Sequence, residues 1–236
     1  MNHPSIELLT EYASGSLPLS HALCVAAHLE HCEVCQQQLS KLNALGASFF
    51  DEQSQHVIAE NEEANEALKS KVFAMLDEQP LETATLNKVV GQSFSESFDA
   101  GQSGYRVPKS LRQFIPQTYD ELSWTNLTPS LKVATLVNDK DGSQVALSRT
   151  KPGGRMAHHA HSGDEFTVVL EGSFSDETGI YHKGDFVHRN AHDKHQPIVT
   201  KDAECICLMV TDAPIQFTGF FTRWLNPLLR RVHPHG

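Results

Sequence analysis

The chain has 236 residues, 39% hydrophobic and 20% charged, which is enough apolar material for a buried core and excludes global disorder. No run approaches the roughly 18 to 20 apolar residues that span a bilayer, and MNHPSIELLT lacks a basic then apolar leader, so a cytoplasmic protein with no membrane partner is expected. A net charge of -10 argues against direct nucleic-acid binding, and five cysteines without an export signal argue for metal or redox roles over a disulfide framework.

Residues 1–80 hold 12 acidic side chains against three lysines, so nearly all the net charge lies there. The remainder is almost neutral. Periodicity changes in step with charge. Ile6, Leu8, Leu9 and Tyr12 predict a short amphipathic helix ended by Gly15, and a second helix is expected from near Pro18. A third is predicted from about Glu33 to Phe50 and a fourth from Ala59 to Leu76, with Ala64, Leu68, Val72, Met75 and Leu76 on one face. Residues 81–108, rich in Thr, Ser, Gln and Gly, read as a linker. Beyond it LKVATLV, SQVALSRT, EFTVVLEG and ECICLMV are short β-rich runs between turn signals, at sandwich or barrel spacing. The predicted fold class is therefore α + β in two domains: a helical bundle over 1–80, then, after the linker, a β-domain with a C-terminal tail over 109–236.

Two donor constellations stand out. His28, Cys32 and Cys35 form H-x3-C-x2-C, which places an imidazole and two thiols on one helical face or helix junction. His3, ahead of the first helix, could complete a sealed structural Zn2+ site. The competing reading, two small buried cysteines and a surface histidine, is weakened by the in-phase His28. Cys24 is expected in the core, with His21 and His31 solvated. In the β part Gly153, His159, His161, Glu165 and Gly172 read G-x5-H-x-H-x3-E-x6-G. Residues i and i+2 of a strand share a face, and the Ser162-Gly163-Asp164 turn returns Glu165 on the next strand. Gly184-Asp185 opens a turn leading to His195, a fourth candidate ligand. Three histidines and a carboxylate suit Zn, Mn, Fe or Ni, with divalent Zn2+ taken as the expectation. His158, His182, His188, His192, His233 and His235 need bind nothing.

The pattern from Gly153 to Gly172 is that of the first cupin motif, and Gly184 to His195 resembles the second, with Asn190 and His192 where Pro and Gly are usual. The set His3, His28, Cys32 and Cys35 resembles the zinc-binding anti-sigma domain. In this order the two resemble the ChrR family of cytoplasmic anti-sigma factors along nearly the whole chain. That resemblance implies a zinc-stabilised helical bundle followed by a cupin β-barrel. It also implies sequestration of an extracytoplasmic-function sigma factor and its release in response to singlet oxygen or related oxidants. The acidic helical module has the sign needed to cover basic sigma surfaces, although acidic helices also serve simply as soluble surfaces. A homo-oligomer through the cupin is compatible with the sequence.

The competing class is an enzyme, a metal-dependent cupin oxygenase or isomerase with a helical accessory domain, since metal cupins often keep an open coordination position. No separate acid, base or nucleophile pair stands beside the metal ligands, so no catalytic residue is assigned. A storage or scaffold protein is the blander option. Cys205 and Cys207, at i and i+2 on a strand, share a face and are either core residues or an oxidant target. Phe217, Phe220, Phe221, Trp224, Leu225, Leu228 and Leu229 fall at helical spacing in the tail, interrupted by Pro227. Packing on the barrel or a neighbouring copy is preferred there to a membrane surface.

Overall fold

The computed structural model describes residues 1–60, 66–71, 73–74, 104–115, 117–140, 142–213 and 216–217, with the backbone alone at 51–60 and 216–217. Most of the linker, residues 61–65, 72 and 75–76 of the predicted fourth helix, and the tail beyond Phe217 lie outside the described residues. Two compact units divide the chain, Met1–Leu42 with Ser103–Gly236, and Asn43–Gln102.

The first unit begins with α1, Ile6–Ser14. The Ser5 hydroxyl accepts the Leu8 N–H, and Gly15 at φ 71 closes the helix in the left-handed conformation that glycine adopts without strain. Helix α2, Leu19–Leu29, follows Pro18 and buries seven residues: Ser20, Leu23, Cys24, Val25, Ala27, His28 and Leu29. A helix buried on most of its circumference must be covered by other elements. Here the cover is the β part. Leu23, Cys24, Val25 and Ala27 share a core with Val145, Leu147, Phe166, Val168, Phe186, Leu208 and Val210. Helix α3, Glu33–Glu60, continues ten residues past the predicted end at Phe50 and takes in Ala59. The Ser, Gln and Glu residues after Phe50 dilute the apolar stripe without breaking a helix, so periodicity lost the signal while propensity kept it.

The β part makes three sheets. The largest has the order β1-β2-β3-β11-β5-β8, built from β1 (Thr125–Asn126), β2 (Leu131–Asn138), β3 (Gln144–Thr150), β5 (Glu165–Glu171), β8 (Phe186–Arg189) and β11 (Cys205–Thr211). A second joins β6 (Ser173–Asp176) to β7 (Gly179–His182) and β10 (Ile198–Val199); a third joins β4 (His159–Ala160) to β9 (Lys194–His195) and β12 (Gln216–Phe217). All seven residues of β5 are buried, which fits a central strand covered on both faces. Cys24 is fully buried against this strand, its thiol 3.6 Å from the Phe166 carbonyl.

Each part caps the other. Helix α2 lacks a side-chain cap of its own, and Asp139 from the β2–β3 turn accepts the Ser20 N–H at 2.8 Å. At the other end of α2, the Glu30 carboxylate accepts the N–H groups of Lys109 and Ser110, both at 2.9 Å. Burial disfavours the Glu30 charge, but these amide donors outweigh it and hold its carboxyl below the usual range. Among the described residues no helix is long and apolar enough to cross a membrane.

Gly172 closes β5 at φ 73, where an added Cβ would lie 2.1 Å from the Glu204 carbonyl oxygen. Gly172→Ala should therefore destabilise the fold by about 2–4 kcal/mol, combining left-handed strain with overpacking. A urea midpoint equal to wild type would show that the backbone yields there.

Candidate metal centres

Four donors converge at the start of the chain. Helix α2 places His28 in its last turn and the α2–α3 junction places Cys32 and Cys35, while His3 reaches them from the segment preceding α1. His3 Nδ1 lies 3.3 Å from both sulfurs, and His28 Nε2 lies 3.4 Å from Cys35 Sγ. A tetrahedral zinc with bonds of about 2.0–2.3 Å spaces its donors about 3.4–3.8 Å apart. The observed spacing fits that shell. His28 Nδ1 is 2.7 Å from the Gly184 carbonyl, which can only accept, so this nitrogen carries the proton and Nε2 presents its lone pair to the site. The Cys35 N–H points at Cys32 Sγ at 3.4 Å, a contact that favours thiolate character. Burial pushes the Cys35 thiol up to about 12, and the Cys32 sulfur beside it adds to the shift. Without a cation the Cys35 thiol stays protonated.

A second set converges in the β part, where all four members are buried. His159 and His195 are register partners across β4 and β9, so their side chains emerge together, and His161 follows β4 by one residue. Glu165 begins β5 after the Ser162-Gly163-Asp164 turn. His195 Nε2 lies 3.0 Å from His159 Nε2 and 3.2 Å from His161 Nε2, while Glu165 sits 3.2 Å from His161 Nδ1 and accepts the Thr167 hydroxyl at 2.9 Å.

The outer contacts decide what those nitrogens carry. His159 Nδ1 donates to the Ala157 carbonyl at 2.9 Å, and His195 Nδ1 donates to Asp176 at 3.1 Å. In the neutral rings both Nε2 atoms then present lone pairs to one another at hydrogen-bond distance with no proton between them. That repulsion is relieved by a cation placed among the rings, so the donor set fits a divalent metal. Burial alone favours neutral rings: it lowers His161, and it takes His159 down to about 4, which Glu165 opposes only in part. For Glu165, burial acts against the charge, but His161, His159 and His195 together outweigh it.

Asp176 is missing from the sequence reading. Its carboxylate orients His195 and also accepts Arg189 Nη2 at 2.8 Å, with Thr178 adding a backbone and a hydroxyl donor. Burial penalises its charge, yet these donors hold the carboxyl well below the carboxylate range. Nothing in the local sequence marks Asp176, because it meets His195 only where the end of β6 in one sheet comes against β9 of another. The departures at Asn190 and His192 are also explained. Asn190 Oδ1 accepts the His192 N–H, and Asp193 accepts the Asn190 N–H, so Asx hydrogen bonds make the turn that Pro and Gly would otherwise shape.

The remaining histidines divide as follows. His21 and His31 are half-buried, not fully solvated; His21 stands edge-on to Phe166, 4.9 Å between centroids, and lies 3.4 Å from Asp212. His188 stacks on Phe166 and His158 lies outside the quartet. Cys205 and Cys207 are both buried with their sulfurs 3.6 Å apart in the smaller core cluster.

Residues 113–215 match the family described as ChrR Cupin-like domain. The Anti-sigma-E factor ChrR of Cereibacter sphaeroides is 30% identical over 230 residues, covering 97% of this chain and 98% of that protein. The chain belongs to the ChrR family. Its fold also matches the crystal structure of Rhodobacter sphaeroides SigE in complex with the anti-sigma ChrR, with a TM-score of 0.62, 25% identity, and coverage of 89% of this chain and 98% of that one. The ChrR likeness thus takes in the N-terminal helices as well as the cupin-like part, and the three-sheet β architecture is a cupin fold.

Two measurements check the site chemistry. Asp176→Asn should weaken metal binding at the cupin quartet by about 10–100-fold, because His195 loses a charged orienting partner; unchanged affinity in chelator competition would remove Asp176 from the site. In the metal-free chain, the lowered His159 and His161 pKa values mean that the unfolded state takes up protons first. Stability should be fully present above the ordinary histidine value of about 6.5 and fall as pH drops through that value towards about 4. A urea midpoint that rises between pH 7 and pH 5 would contradict the assignment.

Proposed function

We propose that this protein is an anti-sigma factor that sequesters an extracytoplasmic-function sigma factor and acts as a regulator, not an enzyme. The observation that carries the reading is the end-to-end likeness to Anti-sigma-E factor ChrR, joined to two donor quartets in one chain, seven of whose eight members are buried. In this reading residues 1–80 form the sigma-binding segment, 81–108 the linker and 109–236 the cupin domain with its tail.

His3, His28, Cys32 and Cys35 would hold a structural Zn2+, and four ligands leave that site closed. The ion supplies folding energy to a short helical segment whose own apolar core is small. His159, His161, Glu165 and His195 would hold a divalent metal, taken as Zn2+, in the cupin. Three neutral imidazoles and one carboxylate leave such an ion with net positive charge and room for a further ligand. That set is the proposed element through which singlet oxygen or a related oxidant promotes release. The acidity of the first 80 residues supports docking on the basic, polymerase-facing surfaces of a sigma factor and speeds encounter at low salt.

The test uses the full chain and a cognate sigma factor in run-off transcription. Cys35→Ala should lose both zinc and inhibition, whereas His31→Ala should keep both. Wild-type zinc content in Cys35→Ala would refute the ligand assignment. His161→Ala should inhibit in the dark like wild type but fail to release sigma after singlet oxygen. Loss of inhibition before any oxidant would make the cupin metal part of sequestration, and a wild-type response would remove it from sensing.

A further inference from the structure

The helical metal site is not enclosed by helices alone. The turn between β7 and β8 reaches it through consecutive residues. Gly184 offers its carbonyl to His28 Nδ1 at 2.7 Å, fixing which nitrogen of that ring faces the sulfurs. Asp185 Oδ1 accepts the backbone N–H of Asn2 at 2.5 Å, and the Phe186 N–H donates to the Asn2 carbonyl at 3.0 Å. Asn2 immediately precedes His3, so the turn holds one candidate ligand directly and a second through its neighbour. The approach is close enough to need glycine. Gly184 has φ 90, and a Cβ there would lie 2.9 Å from His31 Cβ and from Met1 Cε.

We infer that the Gly184-Asp185-Phe186 turn of the cupin domain is the outer shell of the N-terminal metal site, so the affinity of that site is set partly by the β-domain. The inference rests on the reading that His3, His28, Cys32 and Cys35 hold a metal. Hydrogen-bond partners behind metal ligands fix ring orientation and donor strength, and their loss weakens binding. The same turn is tied into the body of the cupin: Gly184 N–H donates to the Val169 carbonyl at 2.8 Å, and Val169 N–H donates to the Asp185 carbonyl at 3.1 Å. Val169 lies on β5, the strand that begins with Glu165. One strand thus carries a candidate cupin ligand at its start and grips the turn behind the helical site near its end. A displacement of β5 along its axis would move the carbonyl that orients His28.

The experiment titrates the metal-free full chain with Co2+. The N-terminal set is the candidate quartet with thiolates, so the sulfur-to-cobalt charge-transfer band reports it separately from the histidine-carboxylate quartet. Asp185→Ala removes the acceptor for the Asn2 N–H. Asn2→Pro removes the donor and leaves the β-domain sequence intact. Ile180→Ala, an exposed change on β7, is the control. Both turn-linked variants should bind Co2+ at the thiolate site about 10–100-fold more weakly than wild type, with the control unchanged. Wild-type affinity in both overturns the inference while leaving the metal site standing. Weakening in Asp185→Ala alone also overturns it, because Asp185 holds the His182 N–H as well and the loss would then come from the hairpin. Absence of the band in wild type would overturn the metal reading and this inference together.

Discussion

Unshared lone pairs forced into proximity are the constraint on which this structure depends. Seven of the eight quartet donors are buried; with the proton positions set by Ala157 and Asp176 the neutral His159 and His195 rings face one another through acceptor nitrogens, and the Gly184 carbonyl turns His28 Nε2 towards Cys35. A protein interior tolerates such an arrangement poorly unless a cation occupies its centre. Were both candidate quartets to hold a metal, folding and metal loading would be coupled at each. An ion at each centre would offset the repulsion between donors and the cost of burying them.

The architecture distributes this constraint between secondary structures that have little stability of their own. Helix α2 is too short to persist alone, and its N-terminal cap and much of its hydrophobic cover come from the β part. In return Glu30 caps the short turn at Lys109–Leu111. These reciprocal caps lie at opposite ends of one helix. They place the His28 end of α2 against the turn at Gly184, and they make α2 the element through which a change in either part is felt by the other.

Much of this was legible in the sequence because it is local. The spacing H-x3-C-x2-C needs only a helix junction, and H-x-H followed by a short turn and Glu needs only a strand and its neighbour. The extent of α3 was not legible, since a stretch rich in Ser, Gln and Glu keeps helical propensity while losing its apolar stripe. Asp176 and the Gly184 carbonyl were beyond reach for a different reason. Each acts across a contact between different elements of the fold, and neither a single aspartate nor a backbone carbonyl carries a pattern. His21 and His31 were expected in solvent because isolated helical histidines usually are, and the packing of α2 onto Phe166 and of Gly184 onto His31 reversed that.

The central claim is that metal-supported helices hold a sigma factor in check. It is tested most directly by sigma-dependent run-off transcription with the full chain added as purified, after stripping by a strong chelator, and after restoring Zn2+. The account predicts inhibition, then its loss, then its return at one equivalent of zinc for the thiolate site. Undiminished inhibition by the fully stripped chain, or none by the fully loaded chain with its cognate sigma factor, would contradict it.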